Sequence, residues 1–171
     1  MAPIPTQRWF VAHTRYFRKE IQVRDRLLEQ GIETFVPTVK RRRSRGSGMV
    51  ETPVAPNLVF IHADKATACS LVTELGLPME LLQDRATRNL MVVPDKEMDD
   101  FRRVYEVASL EEGGLITQPY AVGDRVCVSD GPLRGVCGQI LEESGRLYIV
   151  VGLVGSVFAR ALVPKAWLEK Q

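Results

Sequence analysis

Apolar positions recur along this chain with two periods, and the change from one to the other marks out its elements. RWFVAHT (Arg8 to Thr14) is apolar and β-prone, which predicts a strand. From Phe17 to Gln30 the period lengthens to that of a helix, with Phe17, Ile21 and Leu28 on one stripe and Val23 and Leu27 beside it. Gly31 is suited to closing that helix in a left-handed cap. ETFVPTVK (Glu33 to Lys40) reads as a second strand, with Pro37 fitted to an edge or a bulge. RRRSRGSG follows as a loop or hairpin tip, and Met49 to Asp64 returns as a strand, most apolar from Leu58 to Ile61.

Asp64 is placed to cap a short helix over Lys65 to Leu75 that Gly76 would close. A weaker extended piece spans Met79 to Gln83, and Asn89 to Val93 is a clear strand. Beyond it Asp95 opens a helix with Met98, Phe101, Val104, Tyr105 and Ala108 on one face. Helices alternating with strands imply an α/β or α+β first domain with the apolar stripes as its core. SLEEGGLITQP (Ser109 to Pro119) breaks the pattern with an acidic pair, a glycine pair and a proline, and reads as a linker. Past it come short β-rich runs separated by glycine-containing turns, enough for a five-stranded small barrel. Glycines 135, 138, 145, 152 and 155 disfavour long helices there, so the segment is expected to be β in every state.

Composition narrows the classes. The 171 residues are 45% hydrophobic and 26% charged, a globular balance, and no apolar run approaches a membrane span. MAPIPTQRW lacks the apolar centre of a secretory signal, so a cytoplasmic location is expected. Three cysteines without CxxC spacing and two histidines argue against a disulfide framework or a zinc site, and Cys127 and Cys137 are expected as reduced core residues flanking a hairpin turn. Residues 1–50 hold 11 Lys and Arg against 4 Asp and Glu, a net +7, whereas residues 51–171 carry 12 against 17, a net −5. Either a polyanion partner for the front or a merely uneven solvated surface accounts for that asymmetry.

VGDRVCVSDGPLRGVCGQI (Val122 to Ile140) resembles a KOW motif, with Gly131 and Pro132 in the turn, Gly135 where unusual dihedrals are needed, and Gly138 at a close backbone approach or bulge. The segment before the linker resembles an NGN domain of the NusG family. The matching pieces are Trp9-Phe10-Val11-Ala12, the helix ending at Gly31-Ile32-Glu33, Phe35-Val36-Pro37, Pro56-Asn57-Leu58-Val59-Phe60-Ile61 and the helix opened by VVPDKEM. The resemblance runs from about Arg8 to Leu168 and implies an α+β fold: an N-terminal NGN α/β sandwich domain over 1–108, a linker over 109–119 and a small SH3-like KOW β-barrel over 120–171. Ala55-Pro56-Asn57-Leu58 stands where the general family pattern has aromatic-Pro-Gly-Tyr, and it is similar to the RfaH and UpxY branch of antiterminators.

That resemblance implies a transcription elongation and antitermination factor with no catalytic residue, cofactor or metal. Its partner would be the clamp helices of the largest RNA polymerase subunit, met by Trp9 or Phe10, Leu58 and Phe60 with Pro56 shaping the approach. Strand alternation expects only one of Trp9 and Phe10 to face out. Cys69 and Ser70 would meet the gate loop on the opposite pincer. Non-template or upstream DNA would be reached by Arg15, Arg18, Lys19 and Arg26 near the first helix, and by the loop carrying Arg41, Arg42, Arg43 and Arg45. A solvated helix face or a solubilising tip accounts for the same charges. The barrel, with six basic and five acidic residues from Tyr120 on, is no polyanion footprint and is expected to bind protein. Leu153 and Val154 are the matching contact for ribosomal protein S10, and Val154-Gly155-Ser156 replaces the Phe-Gly-Arg that would suit Rho. The factor is expected to act as a monomer. The competing reading is a KOW-containing RNA-binding or ribosome-associated protein. No Ser/His/Asp set, Walker loop or metal-ligand spacing points to an enzyme.

Overall fold

The computed structural model describes residues 4–108, 115–116, 123–154 and 157–171. In chain order the elements begin with β1 (Arg8–Thr14), α1 (Glu20–Glu29), β2 (Glu33–Phe35), β3 (Thr38–Arg42), β4 (Met49–Pro53) and β5 (Leu58–Ala63). They continue with α2 (Lys65–Thr73), β6 (Met79–Leu81), β7 (Val92–Val93) and α3 (Asp95–Ala108). The chain closes with β8 (Leu115–Ile116), β9 (Arg125–Val128), β10 (Cys137–Glu143), β11 (Arg146–Leu153), β12 (Val157–Leu162), a 3₁₀ turn at Lys165–Trp167, and β13 (Leu168–Lys170). Contacts group these into two compact units: Met1–Thr38 with Ala55–Asp95, and Val39–Val54 with Lys96–Gln171.

The first unit is an antiparallel sheet in the order β2-β5-β1-β6, with β7 also paired to β1. The β1/β5 register sets Phe10 opposite Ile61 and Ala12 opposite Val59, so these four share one face. That face packs with Val23 and Leu27 of α1 and Ala68 and Leu71 of α2. The other face carries Trp9, Val11, Leu58 and Phe60, and they too are buried. The continuous strand expected over Glu33 to Lys40 is broken at Val36-Pro37, because proline cannot donate to the ladder.

The helix expected from Phe17 begins only at Glu20. Arg18 adopts a left-handed conformation, φ 61°, which interrupts the helix and leaves Phe17 68% exposed. Val23 and Leu27, not Phe17 and Leu28, form the buried stripe. Asp64 caps α2 as its sequence suggests, accepting the Thr67 N–H at 2.9 Å and the Thr67 hydroxyl at 2.6 Å.

In the second unit β3 and β4 form a two-stranded hairpin, and α3 buries Met98, Phe101, Val104 and Ala108 as its stripe predicts. Strands β13-β9-β10-β11-β12-β8 form one sheet in that order. Among the described residues its path ends on β13 and β8, an open sheet of six strands instead of the expected closed five-stranded barrel. The last residues supply β13, and Leu115–Ile116, inside the stretch expected as linker, pairs with β12. The rest of that stretch, and Gly155 and Ser156, lie outside the described residues.

Cys127 and Cys137 are joined in a disulfide, against the expectation of two reduced thiols. The register is the reason: β9 and β10 set the two residues directly opposite, Cα to Cα 4.1 Å apart. The bond closes the loop that carries Gly131, Pro132 and Gly135. Two glycines of that motif answer to packing. A Cβ at Gly138 would lie 2.4 Å from the carbonyl oxygen of Val150, and at Gly131, φ 75°, it would strike the Trp167 ring. The loop is held further from its backbone: Arg103 of α3 donates to the carbonyls of Pro132 and Arg134 at 2.8 and 2.9 Å, and Lys96 to that of Gly135 at 3.1 Å.

Candidate nucleic-acid interface

The segment joining β1 to α1 is built from its roots outward. Thr14, at the end of β1, is buried, its N–H bonded to the carbonyl of Asn57 at 2.8 Å. Its hydroxyl donates to the carbonyl of Tyr16 at 3.2 Å, and the Arg15 N–H donates to that of Pro78 at 2.9 Å. At the far end Glu20 is buried and its carboxylate accepts the N–H of Asn57. Both ends of a five-residue excursion are therefore fixed, and its side chains, Arg15 through Lys19, all point to solvent. Arg15 pairs with Glu80 at 3.1 Å. Arg18 lays its guanidinium over the Phe17 ring, 5.1 Å from the centroid. No carboxylate among the described residues pairs with Arg18, Lys19 or Arg26. Arg26, two turns along α1 from Lys19, extends the basic track on the same helix side.

The second basic feature is the β3–β4 hairpin. Arg41, Arg42, Arg43 and Arg45 are exposed, as is every residue from Lys40 to Val50. The turn closes through the Arg43 N–H on the carbonyl of Gly48 at 3.1 Å, with Gly46 and Gly48 at positive φ.

The residues expected to meet the polymerase fall otherwise. Trp9, Phe10, Leu58 and Phe60 are at most 7% exposed, so the expectation of an outward ring at position 9 or 10 is corrected. Alternation sends the two rings to opposite faces, but both faces of this sheet are covered. Trp9 stacks on His62 at 4.9 Å between centroids, and His62 meets Glu33 at 2.9 Å. Of that group only Pro56 is exposed. Cys69 and Ser70 are half-buried on α2, and the Ser70 hydroxyl is turned back onto the carbonyl of Thr67 at 2.8 Å. In the second unit Leu153 is fully buried and so is corrected from contact to core, whereas Val154 is exposed at φ 53°.

Among the described residues, several ionisable groups are displaced from their ordinary values by local structural bonds. Hydrogen bonds from the Thr67 hydroxyl and N–H hold the Asp64 carboxyl below the usual range. The Thr87 N–H and hydroxyl do the same for Asp84 in the turn before β7. Asp124 is lowered and Lys170 raised by their mutual hydrogen bond and attraction. An apolar groove of about 650 Å³ runs past Phe10, Leu90 and Val92, and Asp64 beside it is committed to its helix cap. Among the described residues no three His, Cys, Asp or Glu side chains converge as metal ligands.

Sequence reasoning missed Tyr16 and mistook Phe17 for a core residue. Tyr16 falls before the predicted helix and Phe17 on its expected apolar stripe, yet both are exposed.

A family model described as transcription termination factor nusG matches residues 7–102. A solved structure, reporting domain interaction in Thermotoga maritima NusG, superposes with a TM-score of 0.51 over 96% of this chain and 97% of that one. The two share 19% of their residues, so the likeness is one of fold. No curated protein matches the chain.

Proposed function

The chain belongs to the NusG family of transcription factors, and from that premise we propose that it is an elongation and antitermination factor of the specialised RfaH/UpxY type. In this reading it binds RNA polymerase at the clamp helices, touches non-template or upstream DNA, and supports processive transcription of a particular long operon of the capsular or exopolysaccharide kind. The observation that carries the reading is the fixed, solvent-facing basic segment Arg15 to Lys19, continued by Arg26, on a fold of this family. A polyanion is the partner such a surface suits. The hairpin arginines supply a second phosphate-binding element.

The Pro56-Asn57 pair supports the specialised branch, and Asn57 explains its chemistry. Its φ of 64° is left-handed, a conformation that glycine adopts freely and asparagine tolerates. Asparagine can therefore stand where the general pattern has glycine. For the clamp contact the proposed surface is the sheet face of Trp9, Leu58 and Phe60, bordered by Pro56; since those side chains are buried, engagement requires that face to be uncovered. Gate-loop contact is assigned to Cys69 and Ser70 on α2. The proposed division remains an NGN domain over 1–108, a linker over 109–119 and a KOW domain over 120–171, with Val154 the exposed residue offered to ribosomal protein S10. A monomer acting in the cytoplasm fits these roles. Among the described residues no helix is long and apolar enough to cross a membrane.

The test is capture of RNA polymerase by the tagged full chain in its native host, followed by mapping of the operons it occupies. Enrichment of polymerase with occupancy confined to one or a few long operons supports the reading. Recovery of ribosomes without polymerase would replace it with the RNA-binding alternative.

A further inference from the structure

Both cysteines of the Cys127–Cys137 bond are half-buried, so neither is sealed in the core. A cleft of about 440 Å³ opens beside Cys137, lined by Lys96 of α3, Arg125 of β9 and Gln171 among others. The sulfur has polar neighbours there. The side-chain amide of Gln171 lies 3.8 Å from it, and Gln171 is itself held by Arg125, whose Nε donates to the amide oxygen at 2.8 Å. The Lys96 ammonium donates to the carbonyl of Gly135 at 3.1 Å, and that same oxygen lies 3.7 Å from the Cys137 sulfur. Lys96 is kept at this cleft by a second partner, the Asp100 carboxylate, at 2.6 Å.

An amide donor and a cation have little to offer a disulfide, which carries no charge. They are suited to the thiolate that reduction would leave at Cys137. Surroundings that stabilise the reduced form make a disulfide easier to open. The compartment points the same way. Where RNA polymerase works, thiol systems keep cysteines reduced, and disulfides that do form there are mostly redox-sensing or catalytic. This second argument rests on the functional reading above; the geometry at Cys137 does not. Lys96 also connects the bond to the loop it closes. With the disulfide formed, Lys96 and Arg103 hold the carbonyls of Gly135, Pro132 and Arg134. A thiolate at Cys137 would compete for Lys96 and draw it from Gly135.

We infer that Cys127–Cys137 is a reversible redox site, opened by a dithiol reductant and reclosed by a disulfide oxidant, and that its opening loosens the Gly131–Gly135 loop from α3. In the opening step a thiolate of the reductant attacks the Cys127 sulfur, the Cys127–Cys137 bond breaks, and Cys137 leaves as the better stabilised thiolate. The second thiol of the reductant then displaces Cys127 from the mixed disulfide and closes the reductant's own disulfide. Two electrons and two protons pass from the dithiol to the cysteine pair. In the reverse direction the Cys137 thiolate attacks the oxidant's disulfide, and the cleft gives it room.

The experiment equilibrates the full chain, without oxygen, in buffers of reduced and oxidised glutathione over a range of ratios, two glutathione molecules standing in for one dithiol. Acid quenching, alkylation and mass measurement then give the fraction closed. The folded parent should pass from closed to open within that range, with its circular dichroism unchanged. Lys96→Met should shift the equilibrium roughly tenfold toward the closed form, the effect of losing one cation near a thiolate. Gln171→Ala should shift it in the same direction, and Lys96→Arg should restore the parent value. In the reduced protein Cys137 should take up iodoacetamide before Cys127 and Cys69. Hydrogen exchange of the amides from Arg134 to Val136 should quicken on reduction, while β11 and β12 keep their protection. A bond that stays closed at the most reducing ratio until the chain unfolds would be a structural staple and would overturn the proposal. An unmoved equilibrium in both Lys96→Met and Gln171→Ala would overturn the role of the cleft, and unchanged exchange of the loop amides would overturn the release from α3. These measurements need no polymerase, so failure to capture polymerase would remove the functional reading without imitating any of these outcomes.

Discussion

Glu20, in the first turn of α1, accepts the backbone N–H of Asn57, at the entry to β5, across 37 positions of sequence. The bond ties the helix start to the strand start, and the Asn57 carbonyl in turn receives the N–H of Thr14. One residue thus joins three elements. The second Glu20 oxygen is buried and has no hydrogen-bond partner among the described residues, so the tie comes at an energetic cost.

Asn57→Gly should leave stability near that of the parent, since glycine reaches φ 64° without strain. Asn57→Ala should lose about 1–2 kcal/mol, because alanine keeps a Cβ in the left-handed conformation without the short polar side chain that lets asparagine tolerate it. Glu20→Ala should lose about 1–3 kcal/mol by leaving the partly buried Asn57 N–H without its acceptor. Urea unfolding of the three variants checks the series. Equal stability of the glycine and alanine variants would mean that backbone strain has no part in the choice of residue here.

Thiol titration of the unfolded, unreduced protein should find Cys69 alone, the free cysteine, and three thiols after reduction. The disulfide closes a loop of 10 residues' separation, so Cys137→Ser should lower stability by up to about 3 kcal/mol on the chain-entropy model. Three titratable thiols in the unreduced protein would show that the facing cysteines are left unbonded.

Asp124 and Lys170 make an exposed ion pair at 2.6 Å that should be visible as a pH dependence of stability. The folded Asp124 carboxyl is lowered, so its contribution is present above the ordinary aspartate value and is lost as pH falls through the lowered one. Lys170 is raised, so its contribution is present below the ordinary lysine value and is lost as pH climbs through the raised one. Lys170→Met should therefore be slightly less stable than the parent at neutral pH and low salt, and the two should converge in strong acid. Carboxyl NMR of Asp124 provides the direct check: an unmoved titration in the variant would disprove the pairing.

Replacing Arg41, Arg42, Arg43 and Arg45 together with serine should change stability by no more than about 0.5 kcal/mol, as these positions are all exposed. Affinity for an assembled elongation complex should fall, and most at low salt, where phosphate contacts are strongest. Identical affinity of variant and parent at both low and high salt would make the hairpin a bystander.

The bounds of β1, the cap of α2 by Asp64 and the buried stripe of α3 were all legible in the sequence, because each follows from spacing within one segment. So was the order of family motifs, which the match over residues 7–102 bears out for the first part of the chain. The candidate DNA-facing arginines were legible as charge, since long cations seldom lie anywhere but on a surface. What local period leaves open is whatever depends on a partner far away in sequence. Burial on both faces of β1 and β5 removed the rings at positions 9, 10, 58 and 60 from solvent, and alternation alone carries no information about how many faces are covered. Strand register set Cys127 against Cys137, although cysteine count and spacing argued for free thiols. The tertiary tie of Glu20 and Thr14 to Asn57, with the left-handed turn at Arg18, pushed Tyr16 and Phe17 outward where helical spacing had placed Phe17 inside. Periodicity fixes which residues of a segment lie together; which of them meet water is decided only when segments remote along the chain compete for the same apolar surface.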